Sequence, residues 1–516
     1  MPRASLIEAL RDPAVWPAQA PAPTQVDVVE THISTVLLAG DLACKIKKPV
    51  TLPFLDYGTL EKRRIACEAE LALNRRFAPD LYLRVAPIGG PEHDRPRIDG
   101  LPAREWGVLM RRFDEARRAD HLCRGGCLAA GHLVDFARRF AQLQADAPVV
   151  AGDARFGTPD AVIAPARENF IELAQLRPDL VLSEALAAWT ESTFMRLADT
   201  FAARRRDGCV REGHGDLHLG NLVLHDGRLT AFDGIEFSAD LRWIDVASDI
   251  AFLWMDLQDH GRGDLAARFL DAWLTATGDF AALAVLRFYA VYRAVVRAKV
   301  AAIRGAQHAS AVDGDEAGAY IALAARIAGL PDRADECAVS PPLCFAPRLV
   351  ITCGLSGSGK TTQSTAWLEA CADAGGVRLR SDVERKRLYG LAADAGSGSA
   401  IDGGIYTPDA NARTYARLAV LAREALAHGW AVVVDAAFLR RAERDAFRAL
   451  ARDAGVGFGI LFCEATADEL AQRIAARTGD ASEATFEVVQ RQRAWFEPLG
   501  DDEAGERIAI AVPPPL

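Results

Sequence analysis

Residues 214–221 read His214-Gly-Asp216-Leu-His218-Leu-Gly-Asn221, and the stretch Phe232-Asp233-Gly234 follows a short apolar run, Leu229–Phe232. Moving a phosphoryl group asks little covalent chemistry of a protein. It needs in-line positioning, neutralisation of charge, and a group beside the acceptor hydroxyl. The His-x-Asp-x-x-x-x-Asn spacing sets two such groups on one tight loop. Asp216 can take the hydroxyl proton, and Asn221 can hold one magnesium ion. Asp233, at the end of its strand, can bridge a second. The competing reading is an accidental polar loop. Three groups of the right types at these intervals disfavour it.

Working outward, the phosphates of a nucleotide also need a cation. Lys45 follows Leu-Ala-Cys on a strand-like run, Leu42–Lys47, and Lys47 points to the same face two residues on. Both fit; Lys45 is preferred. Its expected partner lies on the helical pattern Glu61–Phe77, as Glu70 or, second, Glu68. A solvated helix face is the bland alternative for these glutamates. Strand patterns at Val26–Glu30, Thr35–Leu38, Leu81–Ile88 and Glu105–Phe113 complete a small sheet with one helix. Helical spacing then dominates, at Leu128–Gln144, Glu184–Arg205, Leu265–Thr275 and Val285–Arg304, with Asp226-Gly227 as a hairpin turn. Arg287, Arg293, Arg297 and Lys299 cluster on the last of these. They could meet an anionic acceptor, although a salt-bridged face is the commoner outcome.

A second phosphate-handling stretch is Gly354-Leu-Ser356-Gly357-Ser358-Gly359-Lys360-Thr361-Thr362. It follows a strand, Arg348–Cys353, and opens a helix, Thr361–Ala374, which is the setting of a P-loop (Walker A). The glycines let backbone N–H groups close around phosphates at a helix N-terminus. Lys360 would reach the outer phosphates, and the Thr361 hydroxyl would ligate magnesium. Asp382 can activate an acceptor hydroxyl, with Arg385 steadying substrate or phosphates. Asp435 ends the strand Ala431–Asp435 and fits a Walker-B magnesium role. Arg473 and Arg477 share a helix face and could close as a lid. Apolar runs Val377–Arg380, Ala431–Asp435 and Gly459–Cys463 alternate with helices, which implies a parallel, helix-covered sheet.

At 516 residues the chain is expected to hold two or three domains. The organisation read from it is a proline-rich lead-in at 1–23, a first domain at 24–330, a four-proline linker at 331–347 and a P-loop domain at 348–516. A net charge of −10 argues against a dedicated nucleic-acid binder. The ten cysteines are scattered without zinc-site spacing, as reduced thiols would be. No signal peptide and no membrane-spanning run is visible, so a cytoplasmic protein is expected.

Residues 24–330 resemble the aminoglycoside phosphotransferase-like kinases, in the branch often fused to a P-loop domain. The stretches that carry this are Thr31-His-Ile-Ser34, Lys45-Ile-Lys-Lys-Pro-Val50, Met110-Arg-Arg-Phe113 and Tyr289-Ala-Val-Tyr-Arg-Ala294. The resemblance implies Asp216 as base, Asn221 and Asp233 as metal ligands, residues 108–113 as a hinge contacting adenine, and small-molecule hydroxyls as acceptors. Two departures stand out. No glycine-rich loop covers the phosphates, Thr31–Val36 taking that place, and no activation segment follows Asp233. Asp245 and Asp249 are expected to brace the loop. Residues 348–516 resemble small P-loop kinases of the gluconate kinase, chloramphenicol phosphotransferase and polynucleotide 5′-kinase type, a group akin to AAA and zeta-toxin domains.

The expected fold class is therefore α/β and α+β, a two-lobed protein-kinase-like domain followed by a P-loop domain. The expected function is ATP- and Mg2+-dependent phosphoryl transfer to small-molecule hydroxyls at one site in each domain, nucleic acid being a remote acceptor. The alternative is a P-loop ATPase or a nucleotide-regulated switch.

Overall fold

The computed structural model describes residues 3–19, 22–52, 55–91, 95–180, 182–308, 311–330, 348–371, 375–393, 395–396, 403–475 and 486–510. The linker expected at 331–347 lies outside them. By its packing the chain divides into two compact units. The first holds Met1–Pro165 and Phe201–Asp256; the second holds Ala166–Thr200 and Leu257–Leu516.

The first unit is built on a six-stranded antiparallel sheet. Its order is Val26–Glu30, Ser34–Ala39, Leu42–Lys47, Ala103–Arg111, Tyr82–Gly89, Arg97–Ile98. β-Branched and aliphatic residues alternate along these strands, so one face buries Leu37, Cys44, Ile46, Ala86 and Ile88. The lead-in contributes to that core. Arg3–Leu10 is a helix, and Leu6, Leu10, Val15 and Trp16 are buried against the sheet, with Trp16 Nε1 donating to the Leu10 carbonyl at 2.8 Å. The other face takes the helix Leu60–Asn74, whose start is fixed by Thr59 accepting from the Lys62 amide at 3.2 Å. Two small ribbons follow, Leu222–His225 with Arg228–Ala231 and Val210–Glu212 with Trp243–Asp245. The turn between the first pair is Asp226-Gly227, with positive φ at both residues.

The second unit contains an all-parallel sheet. Its order is Gly376–Arg380, Ala431–Asp435, Arg348–Cys353, Gly457–Phe462, Arg507–Ile508. Its central strands are continuous apolar runs, as burial on both faces requires. The helices Gly263–Thr277 and Leu283–His308 belong to this same unit. Sequence order groups them with the first domain; packing groups them with the P-loop. Trp430 has no exposure, donates to the Leu283 carbonyl at 3.0 Å and lies under the Arg287 guanidinium, 4.8 Å from the ring centre.

Candidate active sites

Strand register sets up the first site. Lys45 pairs with Val36 on one side and Val108 on the other, so it sits mid-sheet with its side chain toward the helix Leu60–Asn74. There its ammonium lies 2.9 Å from Glu70 and also bonds Asp233. Lys47, two residues on and on the same face, bonds the other Glu70 oxygen and Glu236. Glu70 thus serves both lysines, while Glu68 pairs with Arg64 on the helix surface. Burial would raise the Glu70 carboxyl, but the charges of Lys45 and Lys47 outweigh it and hold the group down at about 2. Burial likewise opposes charge on Lys45, yet Asp233 and Glu70 raise it well above the ordinary lysine value. The difference between the lysines is access. Lys45 keeps 13% of its side chain exposed and Lys47 none.

The loop of residues 214–221 is held by acceptors placed underneath it. Asp249 accepts from the amides of His214 at 2.8 Å and Gly215 at 2.9 Å, and Asp256 accepts from Leu219 at 2.8 Å. His214 lies 3.0 Å from the Phe232 carbonyl through Nε2, and burial pushes its pKa down, so it is a neutral brace. Asn221 Nδ2 donates to the Asp216 carboxylate at 2.9 Å and to the Asp216 carbonyl at 3.0 Å. The Asn221 carbonyl in turn accepts from the Phe232 amide at 3.0 Å, which ties the loop to the strand that delivers Asp233. Asp233 is in the left-handed region at φ 61°, with its amide donating to Tyr82 Oη at 3.0 Å. Gly234 donates to Asn74 at 2.8 Å. Asp216, Asn221, Asp233, Lys45 and Glu70 are therefore one linked set. The donors Asn221 and Asp233 offer amide and carboxylate oxygen, the ligand chemistry that suits a hard divalent cation.

Some expectations are refined. Asp249 braces the loop, whereas Asp245 is engaged by Arg204, at 2.6 and 2.8 Å, and caps Ala247. Phe113, at the end of the expected hinge, packs on Phe232 with ring centres 4.9 Å apart. Members of the arginine and lysine cluster go to separate contacts: Arg287 to the Gly429 carbonyl at 3.0 Å, Arg297 to Tyr320 at 3.2 Å, Lys299 to Glu172 at 3.3 Å, and Arg293 over the Tyr292 ring, 5.3 Å from its centre. Glu236, Tyr57 and Tyr82 were not singled out by sequence. Glu236 stands close after Asp233, and that proximity was its one signal.

In the second unit the loop 354–359 lies at the carboxyl end of Arg348–Cys353, between neighbours on both sides, where ligands meet parallel sheets. Gly354 has φ 154°, and a Cβ there would collide with the Cys463 carbonyl. Gly359 has φ 95° and caps the helix Lys360–Ala370, whose first-turn amides have no partner within the helix, the arrangement that suits an anion. Lys360 Nζ donates to the Leu355 carbonyl at 2.8 Å, curled over the loop. Ser356 donates its amide to Gln492 at 2.8 Å, and Ser358 donates its own to Leu355 at 3.1 Å. Thr361 and Thr362 form the first helical turn; Gly357 accepts from Arg473 at 3.4 Å. Arg477 lies outside the described residues.

Asp435 ends its strand beside Arg380, 3.8 Å from Nε. Its Oδ2, the oxygen that faces Arg380, is buried and receives no hydrogen bond from the described residues. A buried carboxylate oxygen of that kind fits a divalent cation. Asp382 lies in the first turn of Ser381–Leu388, one strand away. Arg385 is buried, donates to Asn411 at 3.0 Å and to the Ile405 carbonyl at 3.3 Å, and covers the Tyr406 ring. Among the described residues no helix is long and apolar enough to cross a membrane.

Fold and site residues together resemble a protein-kinase-like domain and a P-loop kinase-like segment fused in one chain. Residues 349–499 match the AAA domain family. The chain is 32% identical over 500 residues to Rv2004c of Mycobacterium tuberculosis, covering 93% of each, and to Mb2027c of Mycobacterium bovis with the same figures. It belongs to the family of these mycobacterial proteins. Similar solved structures include a choline kinase from Cryptosporidium parvum (12% identity, 58% of this chain and 88% of that one, TM-score 0.38). Another is the Mycobacterium tuberculosis APS kinase (25% identity, 26% and 71%, TM-score 0.21).

Proposed function

We propose that the chain carries two ATP- and Mg2+-dependent phosphotransferase sites, each moving a γ-phosphoryl group onto a hydroxyl of a small molecule. The observation that carries this is the linked set Asp216–Asn221–Asp233–Lys45–Glu70. A site kept only to bind nucleotide has no use for a carboxylate held as Asp216 is, by a side chain that also bonds its carbonyl.

In the first site Asp216 takes the proton of the acceptor hydroxyl as the new O–P bond forms and ADP departs. Asn221 fixes the Asp216 carboxylate for that task. Lys45, oriented by Glu70, neutralises phosphate charge. Asn221 and Asp233 would hold magnesium, which when bound supplies charge neutralisation at the phosphates. In the second site the amides of Gly357 and 359–361 and Lys360 cradle phosphates, Asp382 accepts the acceptor proton, and Thr361 and Asp435 would hold the metal. Arg473, already beside Gly357, serves as a lid residue. Small acceptors are favoured over nucleic acid because the sequence of the P-loop segment adds Glu443, Asp445, Asp453, Glu464, Asp468 and Glu469 without an aromatic-and-basic stripe.

The test is mass spectrometry of phosphorylated products after incubation with magnesium, ATP and pooled sugars, aminoglycosides and nucleosides. Products should appear, one set vanishing with Asp216→Ala and another with Lys360→Ala. ATP loss with no phosphorylated acceptor would leave an ATPase or a switch instead.

A further inference from the structure

Arg378 stands on the strand Gly376–Arg380, the second of the parallel sheet in chain order, and is 7% exposed. A guanidinium so buried must be partnered. One edge meets Asp271, itself 6% exposed, through Nε at 3.2 Å and Nη2 at 2.6 Å. The other edge, through Nη1, reaches the first turns of the P-loop helix: Thr365 Oγ1 at 2.7 Å, the Thr361 carbonyl at 3.3 Å and Ser364 Oγ at 3.4 Å. Thr365 also donates to the Thr361 carbonyl at 2.7 Å, so the two contacts converge on one residue. Asp271 lies on Gly263–Thr277, far ahead of the P-loop in sequence yet in the same compact unit.

We propose that Asp271 and Arg378 are positioning residues for the P-loop site. Asp271 holds one edge of the guanidinium fork, and the other edge fixes the backbone of Thr361, hence the direction of its hydroxyl. The inference rests on the reading of Thr361 as the magnesium ligand. It gives the helix Gly263–Thr277 a part in the second activity, so the P-loop segment is not a self-sufficient module. A simple docking contact would do less. Arg268, on the same helix, meets Glu369 at 2.8 Å, at the far end of the P-loop helix and away from Thr361.

That pair of contacts supplies the test. In the full-length protein, fluorescent ADP binding is titrated with and without magnesium, and the component that Lys360→Ala removes is assigned to the P-loop. Thermal unfolding is followed in parallel. Arg378→Lys keeps the charge and a bond to Asp271, but a single ammonium cannot span both edges. It should weaken magnesium-dependent ADP binding about 10-fold, the usual effect of losing a group that orients a metal ligand. Magnesium-free binding should change much less, and Asp271→Asn should act in the same direction. Arg268→Ala should lower the unfolding temperature while leaving both affinities unchanged. If Arg378→Lys leaves the magnesium-dependent affinity intact, or Arg268→Ala weakens it equally, Asp271 and Arg378 only hold the fold together. A wild-type protein with no Lys360-dependent binding would instead overturn the P-loop reading itself.

Discussion

Lys47 and Glu236 form an ion pair sealed inside the first unit, with the lysine side chain wholly buried and the glutamate 4% exposed. Tyr57 adds its hydroxyl to Glu236 at 2.9 Å, and Glu70 takes the remaining side of the ammonium. This cluster ties the strand Leu42–Lys47, the helix Leu60–Asn74 and the segment just past Asp233 together. It does so in a chain without an activation segment to organise that region.

Removing Lys47 should therefore damage the fold. Lys47→Ala leaves Glu236 buried and short of its cation, and breaking a buried pair from one side costs about 3–5 kcal/mol. The check is the urea midpoint at unchanged slope. A shift below about 1 kcal/mol would mean the pair is not sealed from water.

Lys45→Ala should do the opposite. Lys45 is the lysine with solvent access and the one that bonds Asp233. Its loss should lower the transfer that depends on Asp216 by about 100-fold, the scale of losing one electrostatic stabiliser, with a smaller cost in stability than Lys47→Ala. Steady-state rates and urea melts on the two variants separate the roles.

The depressed Glu70 carboxyl makes an acid signature. Its folded pKa of about 2 is below the ordinary 4.5, so its stabilisation is present above pH 4.5 and is lost as the pH falls toward 2. Glu70→Gln should be less stable than wild type at pH 7, and the gap should narrow as the pH drops below 4.5. Urea midpoints from pH 7 to pH 3 measure it. A constant gap would show that the carboxylate is not held down by the lysines.

Thiol reactivity should follow burial. Burial pushes Cys44 and Cys463 up to about 12 and Cys353 to about 11, whereas Cys127 is exposed. Brief alkylation of the native protein should label Cys127 and spare those three, and urea should release them. Peptide mass spectrometry reads the pattern.

Much of this was legible in the sequence, because local chemistry carried it. The spacing from His214 to Asn221 placed a carboxylate and an amide on one loop, and Gly354 to Thr361 placed glycines where positive φ and a helix start are required. The parallel character of the second sheet followed from continuous apolar runs alternating with helices, whereas the antiparallel pairing of the first came only with the structure. What sequence did not carry was long-range pairing. Nothing near Lys47 says that its partners include Glu236, and nothing near Arg378 points to Asp271. The choice between Lys45 and Lys47 turned on access, which a strand pattern does not contain. The helix Pro159–Leu176 was missed with Pro165 inside it, since an internal proline reads as a break until packing overrides it. Arg3–Leu10 was hidden by the prolines that follow, although Leu6 and Leu10 anchor it.

The central claim is that one chain holds two separate phosphoryl-transfer sites. The most direct measurement is acceptor-dependent ATP turnover by wild type, Asp216→Ala, Lys360→Ala and the double variant. The expected result is two activities with different acceptors, each reduced about 100-fold or more by one substitution and untouched by the other, and both absent from the double variant. A single activity lost equally with either substitution, or turnover indifferent to any acceptor and abolished by Lys360→Ala alone, would contradict it.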